Sequence, residues 1–161
     1  MLSSCSSYSS TINELRRRFS KVPVENGDDE MILEALNNGK KVGVAATVAA
    51  AGPTTQKMLL EKAKQLNKNV EGFVEVNTEA FDALNEKEYD RHDISQMINK
   101  LIREHDIDVV ILAQLSMARA TNRMQNIEIP VLTSPEISPK AIVDKVLKKG
   151  TGSIIGEKIR D

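Results

Sequence analysis

Short apolar runs that alternate with amphipathic segments limit what this chain can fold into more than any other feature of its sequence. The runs at residues 41–47 (KVGVAAT) and 108–113 (DVVILA) carry no charge beyond their first residue, which is typical of strands covered on both faces. Two further strands are predicted at residues 70–76 and 129–133. Strands that alternate with helices are joined by right-handed crossovers in a parallel sheet. The sequence therefore predicts an α/β fold with a doubly wound parallel sheet.

The segments between these runs have the periodicity and the end signals of helices. The helix after the first long strand is predicted to begin at Thr54, behind a loop that contains Gly52 and Pro53. A later helix is predicted to begin at Ser138, which would act as its cap, with Pro139 in the first turn. The other predicted helices lie at residues 12–19, 28–38, 79–84, 93–105 and 116–124.

The composition and charge of the chain exclude several classes of function. Lys and Arg number 22 against 23 Asp and Glu, so the net charge of −1 argues against a strongly basic nucleic-acid binder. Cys5 is the only cysteine, which excludes an internal disulfide or a cysteine-based zinc site and suits a reducing compartment. No membrane-spanning segment and no signal peptide is visible. We therefore expect a cytoplasmic protein with no nucleic-acid or membrane partner.

Three segments are expected where ligands collect in such sheets, at the carboxyl ends of the strands. They are residues 3–7, residues 46–47 together with 53–55, and residues 113–117. Each offers backbone N–H groups and small hydroxyls. Together they predict a cradle for a carboxylate or a phosphate.

Cys5 is the one obvious nucleophile or base in these segments. Ahead of a helix its thiolate would be favoured, and a thiolate can abstract a proton from carbon when nearby donors stabilise the enolate. An inert thiol is the commoner alternative, and the sequence leaves both open. The hydroxyls of Thr47, Thr54, Thr55 and Ser116 likewise fit either ligand binding or helix capping.

Six segments, in order and spacing, resemble the Asp/Glu/hydantoin racemase superfamily. They are CSSYS at 5–9, GKKVGVAAT at 39–47, PTT at 53–55, EVNTEAFDAL at 75–84, DVVILAQLSMA at 108–118 and IPVLTSPE at 129–136. The resemblance covers most of the chain, and its most specific part is the stretch LAQLSMA that follows an apolar strand.

The resemblance implies two similar doubly wound lobes with the active site in the cleft between them, and a reaction that needs neither an organic cofactor nor a metal. Each lobe of a family member typically offers one cysteine, and the pair flanks the acidic carbon of the substrate. Cys5 matches the first of these cysteines, whereas Leu115 occupies the second position. Ser6 and Ser116 follow the two positions symmetrically, which fits a pair of anion-binding turns.

The resemblance also implies a division of the chain and a set of site residues. Residues 40–148 would form a complete lobe, and residues 1–39 a remnant of the first lobe on which residues 149–161 could pack. Because that remnant would lack its neighbouring strands, we expect a homo-oligomer. We expect Cys5 to be catalytic. The expected substrate-binding residues are Ser6, Ser7, Thr47, Thr54, Ser116 and Met117.

The resulting functional hypothesis is an isomerase: a cofactor-independent amino-acid racemase that transfers the Cα proton of a small carboxylate or amino-acid derivative. Leu115 cannot carry a proton, which leaves two alternatives open. One is an inactive remnant that binds a small anion or oligomerises. The other is a one-cysteine decarboxylase or isomerase of the same superfamily.

Overall fold

Four parallel strands in the order β4-β3-β5-β6 form the main sheet, and β1 and β2 form a separate parallel pair. The computed structural model describes residues 2–3, 11–20, 24–80, 91–121, 124, 126–140, 142–144 and 147. The strands are β1 (Leu2–Ser3), β2 (Glu25–Asn26), β3 (Lys41–Ala46), β4 (Glu71–Val76), β5 (Val109–Leu112) and β6 (Val131–Leu132). The helices are α1 (Ile12–Arg18), α2 (Asp29–Asn38), α3 (Ala51–Gln65), α4 (Arg91–His105), α5 (Ala118–Thr121) and α6 (residues 134–140), with a 3₁₀ helix at Leu115–Met117.

The two uncharged runs form the centre of the sheet, as the sequence predicts. Every residue of β5 is buried, and so are all residues of β3 after Lys41. Alternate side chains face opposite layers: Val110 and Leu112 pack with α4, whereas Val109 and Ile111 pack with α2 and α3. The predicted α/β fold with a parallel, helix-covered sheet is confirmed.

Helix α3 begins at Ala51, three residues before the predicted start at Thr54, so the prediction of a loop at Gly52 and Pro53 is wrong. Proline is tolerated here because a first-turn N–H has no acceptor within the helix. Glycine is needed because a Cβ on Gly52 would lie 2.7 Å from Val74 Cγ1 of β4. The two residues that suggested a loop therefore allow the helix to start close against the sheet.

Helix α6 also begins earlier than predicted, at residue 134 rather than at Ser138. Its first-turn proline is Pro135, and the first helical bond runs from the Ile137 N–H to the carbonyl of Thr133. Ser138 is buried inside the helix, where its hydroxyl donates to the carbonyl of Gly27. It thus ties α6 to the turn before α2 instead of capping a helix.

Helix α2 covers the same face of the sheet as α3. Its four buried residues share one apolar cluster with Val42, Leu59 and Val109. The four-stranded sheet is therefore covered in part by a helix that precedes residue 40. A chain division at residue 39 stays a prediction, and residues 149–161 lie outside the described part of the chain. No helix in that described part is long and apolar enough to cross a membrane.

Candidate ligand site at the carboxyl edge of the sheet

Three polar residues form a row across the carboxyl edge of the sheet. Ala46 pairs with Val76 and Ala45 pairs with Leu112, so the register places Asn77, Thr47 and Gln114 at one level, just beyond their strands. Parallel strands lie roughly 4.8 Å apart, so neighbouring members of the row are within reach of each other. This is the part of a doubly wound sheet at which ligands bind.

Thr47 and Gln114 are joined by two hydrogen bonds. The backbone N–H of Thr47 donates to Gln114 Oε1 at 2.6 Å, and Thr47 Oγ1 donates to the same oxygen at 3.2 Å. Thr47 is buried, with 1% of its surface exposed, and Gln114 is half-buried. The pair connects β3 with β5 beyond their last ladder bond.

Asn77 turns its carboxamide oxygen toward its own chain. Asn77 Oδ1 accepts the backbone N–H groups of Glu79 at 3.1 Å and Ala80 at 3.3 Å. An asparagine in this position satisfies the otherwise unpaired N–H groups of a helix start. Residues 79–80 are helical, and the rest of the helix predicted at 79–84 lies outside the described residues.

The described residues that directly follow the strands, at 47–48, 77–78, 113–117 and 133–134, carry no charged side chain. The chain reads Ala-Thr-Val at 46–48, Val-Asn-Thr at 76–78, Ala-Gln-Leu-Ser-Met at 113–117 and Thr-Ser at 133–134. These segments offer amide and hydroxyl groups, whereas the cationic side chains of Lys100 and Arg103 line a cavity beside Asn77. Among the described residues, no group of three or more His, Cys, Asp and Glu side chains could hold a metal ion.

The predicted binding residues that are described differ in what they leave accessible. Thr54 Oγ1 donates to the carbonyl of Ala50 at 2.7 Å, one helical turn back in α3. Ser116 is exposed and lies in the 3₁₀ helix. Where a single helix was predicted at 116–124, the structure has this 3₁₀ turn followed by α5. Met117 is fully buried in the apolar core, and its N–H donates to the carbonyl of Gln114 at 3.0 Å.

The expectation of free backbone N–H groups is therefore wrong for Thr47 and Met117, because both donate within the protein. Predictions for Cys5, Ser6 and Ser7 fall on residues outside the described part of the chain. Thr47 and Ser116 do lie at the same edge, as predicted, because Thr47 directly follows β3 and Ser116 lies in the 3₁₀ turn that follows β5.

Two buried hydroxyls near this edge have no hydrogen-bond partner among the described residues. They are Thr55 Oγ1 in α3 and Thr133 Oγ1 directly after β6, and both side chains are fully buried. A buried hydroxyl without a partner is destabilising. The sequence leaves ligand binding and helix capping open for the hydroxyl of Thr55, and the structure places this hydroxyl in the protein interior.

A cavity of about 460 Å³ opens beside the end of β4 and is lined in part by Asn77, Lys100 and Arg103. Lys100 Nζ donates to both carboxylate oxygens of Glu75 at 2.9 Å, and this hydrogen bonding raises the pKa of Lys100. The ammonium group is thus already paired. The cavity offers a polar wall but no ready anion site at Lys100.

Gln114 lies inside the predicted ligand segment 113–117, but neither Gln114 nor Asn77 is among the individual residues expected to bind the substrate. Its sequence signal is a single polar side chain at the end of an otherwise apolar strand, inside the most family-specific stretch. Its importance depends on the register of β3 against β5, which brings Thr47 opposite to it. That register is a tertiary property and is not visible in the local pattern.

Comparisons with known proteins agree with this architecture. Residues 1–141 match the family model for Asp/Glu/hydantoin racemase. Among solved structures, the chain is similar to a glutamate racemase isoform from Bacillus anthracis, with 21% identity and a TM-score of 0.67. The match covers 92% of this chain and 58% of that chain, so this chain spans little more than half of that racemase. No curated protein sequence was found to match.

Proposed function

The chain belongs to the Asp/Glu/hydantoin racemase family, and from this premise we propose that it catalyses Cα proton transfer on a small carboxylate or amino-acid derivative. The observation that carries the proposal is the polar carboxyl edge around Thr47 and Gln114, where the Gln114 Nε2 amide has no hydrogen-bond partner among the described residues, in a chain of this family. The proposed proton transfer would need no organic cofactor, since a thiol and hydrogen-bond donors suffice for this chemistry.

Cys5 is the proposed acid/base. Its thiolate takes the proton of the acidic carbon, and the electron pair of the broken C–H bond moves into the adjacent carbonyl group, which gives an enediolate from a carboxylate or an enolate from a hydantoin. The thiol then returns a proton to the same carbon, which regenerates the thiolate. Hydroxyl and N–H groups at Ser6, Ser7 and Ser116 are proposed to hold the carboxylate during this step.

Hydrogen exchange in heavy water tests the proposal directly. The protein is incubated with each enantiomer of aspartate, glutamate and a series of 5-substituted hydantoins, and the loss of the proton signal at the acidic carbon is followed by NMR. We expect exchange that falls by at least about 100-fold in Cys5→Ala, the range typical for loss of a general acid/base. Absence of exchange in the parent protein with every substrate would refute the activity.

Cys5→Ser serves as the matched control. It preserves the size of the side chain but replaces a thiol by a hydroxyl that is hardly ionised near neutral pH. If Cys5→Ser and Cys5→Ala are equally inactive while both remain folded, the proton transfer depends on the thiolate. If both retain parental exchange, Cys5 is not the base.

Leu115 favours a second candidate within the same chemistry. Its side chain is 51% exposed where the family resemblance assigns a second cysteine, and an aliphatic group cannot deliver a proton to the opposite face. A one-cysteine decarboxylase or isomerase would turn over a malonate-like or maleate-like substrate with thiol dependence and without racemising its product. Carboxylates that raise the melting temperature independently of Cys5, without any turnover, would instead indicate an inactive binding protein.

A further inference from the structure

We infer that Gln114 binds the substrate carboxylate at this edge through its Nε2 amide, alongside Ser116, and that the preferred ligand is a small monocarboxylate with an apolar substituent. The inference rests on the proposed function and specifies which residue and which substrate class it uses. Thr47 then acts as a positioning residue, because it holds the Gln114 carboxamide in place.

The orientation of the Gln114 carboxamide follows from its partner. The backbone N–H of Thr47 can only donate, so the atom 2.6 Å from it must be the carboxamide oxygen and not the nitrogen. The hydroxyl of Thr47 donates to the same oxygen. The orientation is therefore fixed by chemistry, and it directs the Nε2 amide group away from Thr47.

Thr47 has no donor left for a ligand. Its N–H and its hydroxyl proton both go to Gln114 Oε1, and 1% of the residue surface is exposed. Gln114 Nε2, in contrast, makes no hydrogen bond within the described part of the chain, and Gln114 is only half-buried. A carboxylate that approaches this pair thus meets the amide of Gln114 and not the hydroxyl of Thr47.

The residues that follow this pair indicate the rest of the ligand. Val48 comes directly after Thr47 and Leu115 directly after Gln114, and they are 38% and 51% exposed. Apolar side chains exposed beside a polar donor gain free energy when a ligand with its own apolar part covers them. The segments that directly follow β3 and β5, residues 47–50 and 113–117, contain no lysine or arginine to pair with the second carboxylate of aspartate or glutamate. Lys100 and Arg103 line the separate cavity beside Asn77, where Lys100 is bonded to Glu75. Both observations favour one carboxylate and an apolar substituent.

Gln114→Glu is the decisive variant because it separates binding from folding. Glutamate keeps the oxygen that accepts from Thr47, and it replaces only the Nε2 donor by a second, charged oxygen. Affinity is measured by calorimetry for isovalerate and 2-phenylpropionate, with succinate and glutarate as dicarboxylate comparisons. We expect the variant to keep the parental melting temperature and to bind the monocarboxylates roughly 10- to 100-fold more weakly, as loss of a hydrogen bond to an ion implies.

Gln65→Glu is the matched control. It makes the same chemical change at an exposed residue at the other end of α3, about 20 Å along the helix from its start. We expect it to bind as the parent does. Leu115→Ala should weaken binding of 2-phenylpropionate while leaving acetate unaffected, because only the substituent loses a contact.

The outcomes separate this inference from the proposed function. Parental affinity in a folded Gln114→Glu protein, tighter binding of succinate than of isovalerate, or no binding of any monocarboxylate would overturn the inference. The exchange assay with aspartate, glutamate and hydantoins is read independently. Thiol-dependent exchange together with one of these three results would leave the activity standing and remove the role of Gln114.

Discussion

Asp108 Oδ2 accepts the backbone N–H of Lys41 at 2.9 Å, so a single carboxylate joins the first residue of β3 to the residue that precedes β5. The same oxygen accepts the N–H of Lys40 at 2.7 Å. These backbone hydrogen bonds hold the pKa of Asp108 below its ordinary value of 3.8. The amino end of the sheet is thus fixed by a charge-dependent contact, whereas the carboxyl end is fixed by the neutral pair Thr47 and Gln114.

Asp108→Asn should lower the free energy of unfolding at neutral pH by about 1 kcal/mol or less, because the carboxylate is exposed to solvent. A carboxyl group whose pKa falls on folding stabilises the folded state above its unfolded pKa, and this stabilisation disappears as pH falls through the folded pKa. Parent and variant should therefore differ at pH 7, and the difference should shrink as the pH falls below 3.8 and through the lowered pKa of Asp108, as measured by urea unfolding.

Asp106→Asn is the control for this titration. Asp106 is 98% exposed and lies 3.4 Å from Lys41 Nζ, and its positive φ of 55° is one that asparagine also adopts readily. We expect little change in stability at any pH. A pH-independent difference for Asp108→Asn would contradict the assignment of its role to the charge.

Gly39→Ala should destabilise the protein by about 1–3 kcal/mol, the usual cost of forcing an extra methyl group into a packed site. A Cβ on Gly39 would overlap the Cβ of Asp108, which lies against the backbone to reach Lys40 and Lys41. Chemical unfolding measures the loss. Combining it with Asp108→Gly should cost less than the sum of the two single changes, and strict additivity would show that the two sites are not in contact.

The sequence specifies the centre of this fold better than its edges. The uncharged runs of β3 and β5 have few alternatives to being buried strands, and they are found within one residue of their predicted bounds. The helices that begin at Ala51 and at residue 134 start earlier than the local sequence predicts, because Pro53 and Pro135 are compatible with a first helical turn as well as with a loop. Pro53 is accepted there because Gly52 packs on Val74, a contact that no local pattern reveals.

The sequence likewise predicts those features of the candidate site that follow from strand order, and it does not predict those that depend on tertiary contacts. Thr47 and Ser116 follow strands in the sequence, so their arrival at the carboxyl edge follows from the parallel topology. The pairing of Thr47 with Gln114 depends on strand register, and the burial of Met117 depends on which side of the 3₁₀ helix faces α4. Both are decided by packing across distant parts of the chain.

Thr55→Val should raise the free energy of unfolding by about 1 kcal/mol. The hydroxyl of Thr55 is buried without a hydrogen-bond partner among the described residues, and valine replaces it with a methyl group of similar shape and equal branching. Thr55→Ala should have the opposite sign, because it removes packing atoms as well as the hydroxyl. Thermal and urea unfolding distinguish the two. A loss of stability in Thr55→Val would indicate that the hydroxyl has a partner, such as a bound water.

Leu115→Cys tests whether the missing second thiol determines the stereochemical outcome. In the parent protein we expect the Cα proton to be removed and returned on one face, so deuterium enters the substrate while its optical rotation is preserved. A thiol at residue 115 would supply a donor from the exposed turn after β5, where the side chain is 51% accessible. The variant should then racemise the same substrate, with deuterium incorporated into the inverted product.

On the same samples in heavy water, NMR measures the incorporation of deuterium and polarimetry measures the loss of optical rotation. Leu115→Ser is the control for side-chain size and polarity, since a serine hydroxyl is a poor base at neutral pH. Val48→Cys is the control for an added thiol at the neighbouring strand end, at residue 48, which is also exposed. Racemisation by the parent, or equal racemisation by Leu115→Ser, would show that a second proton donor already exists and that Leu115 does not limit the reaction.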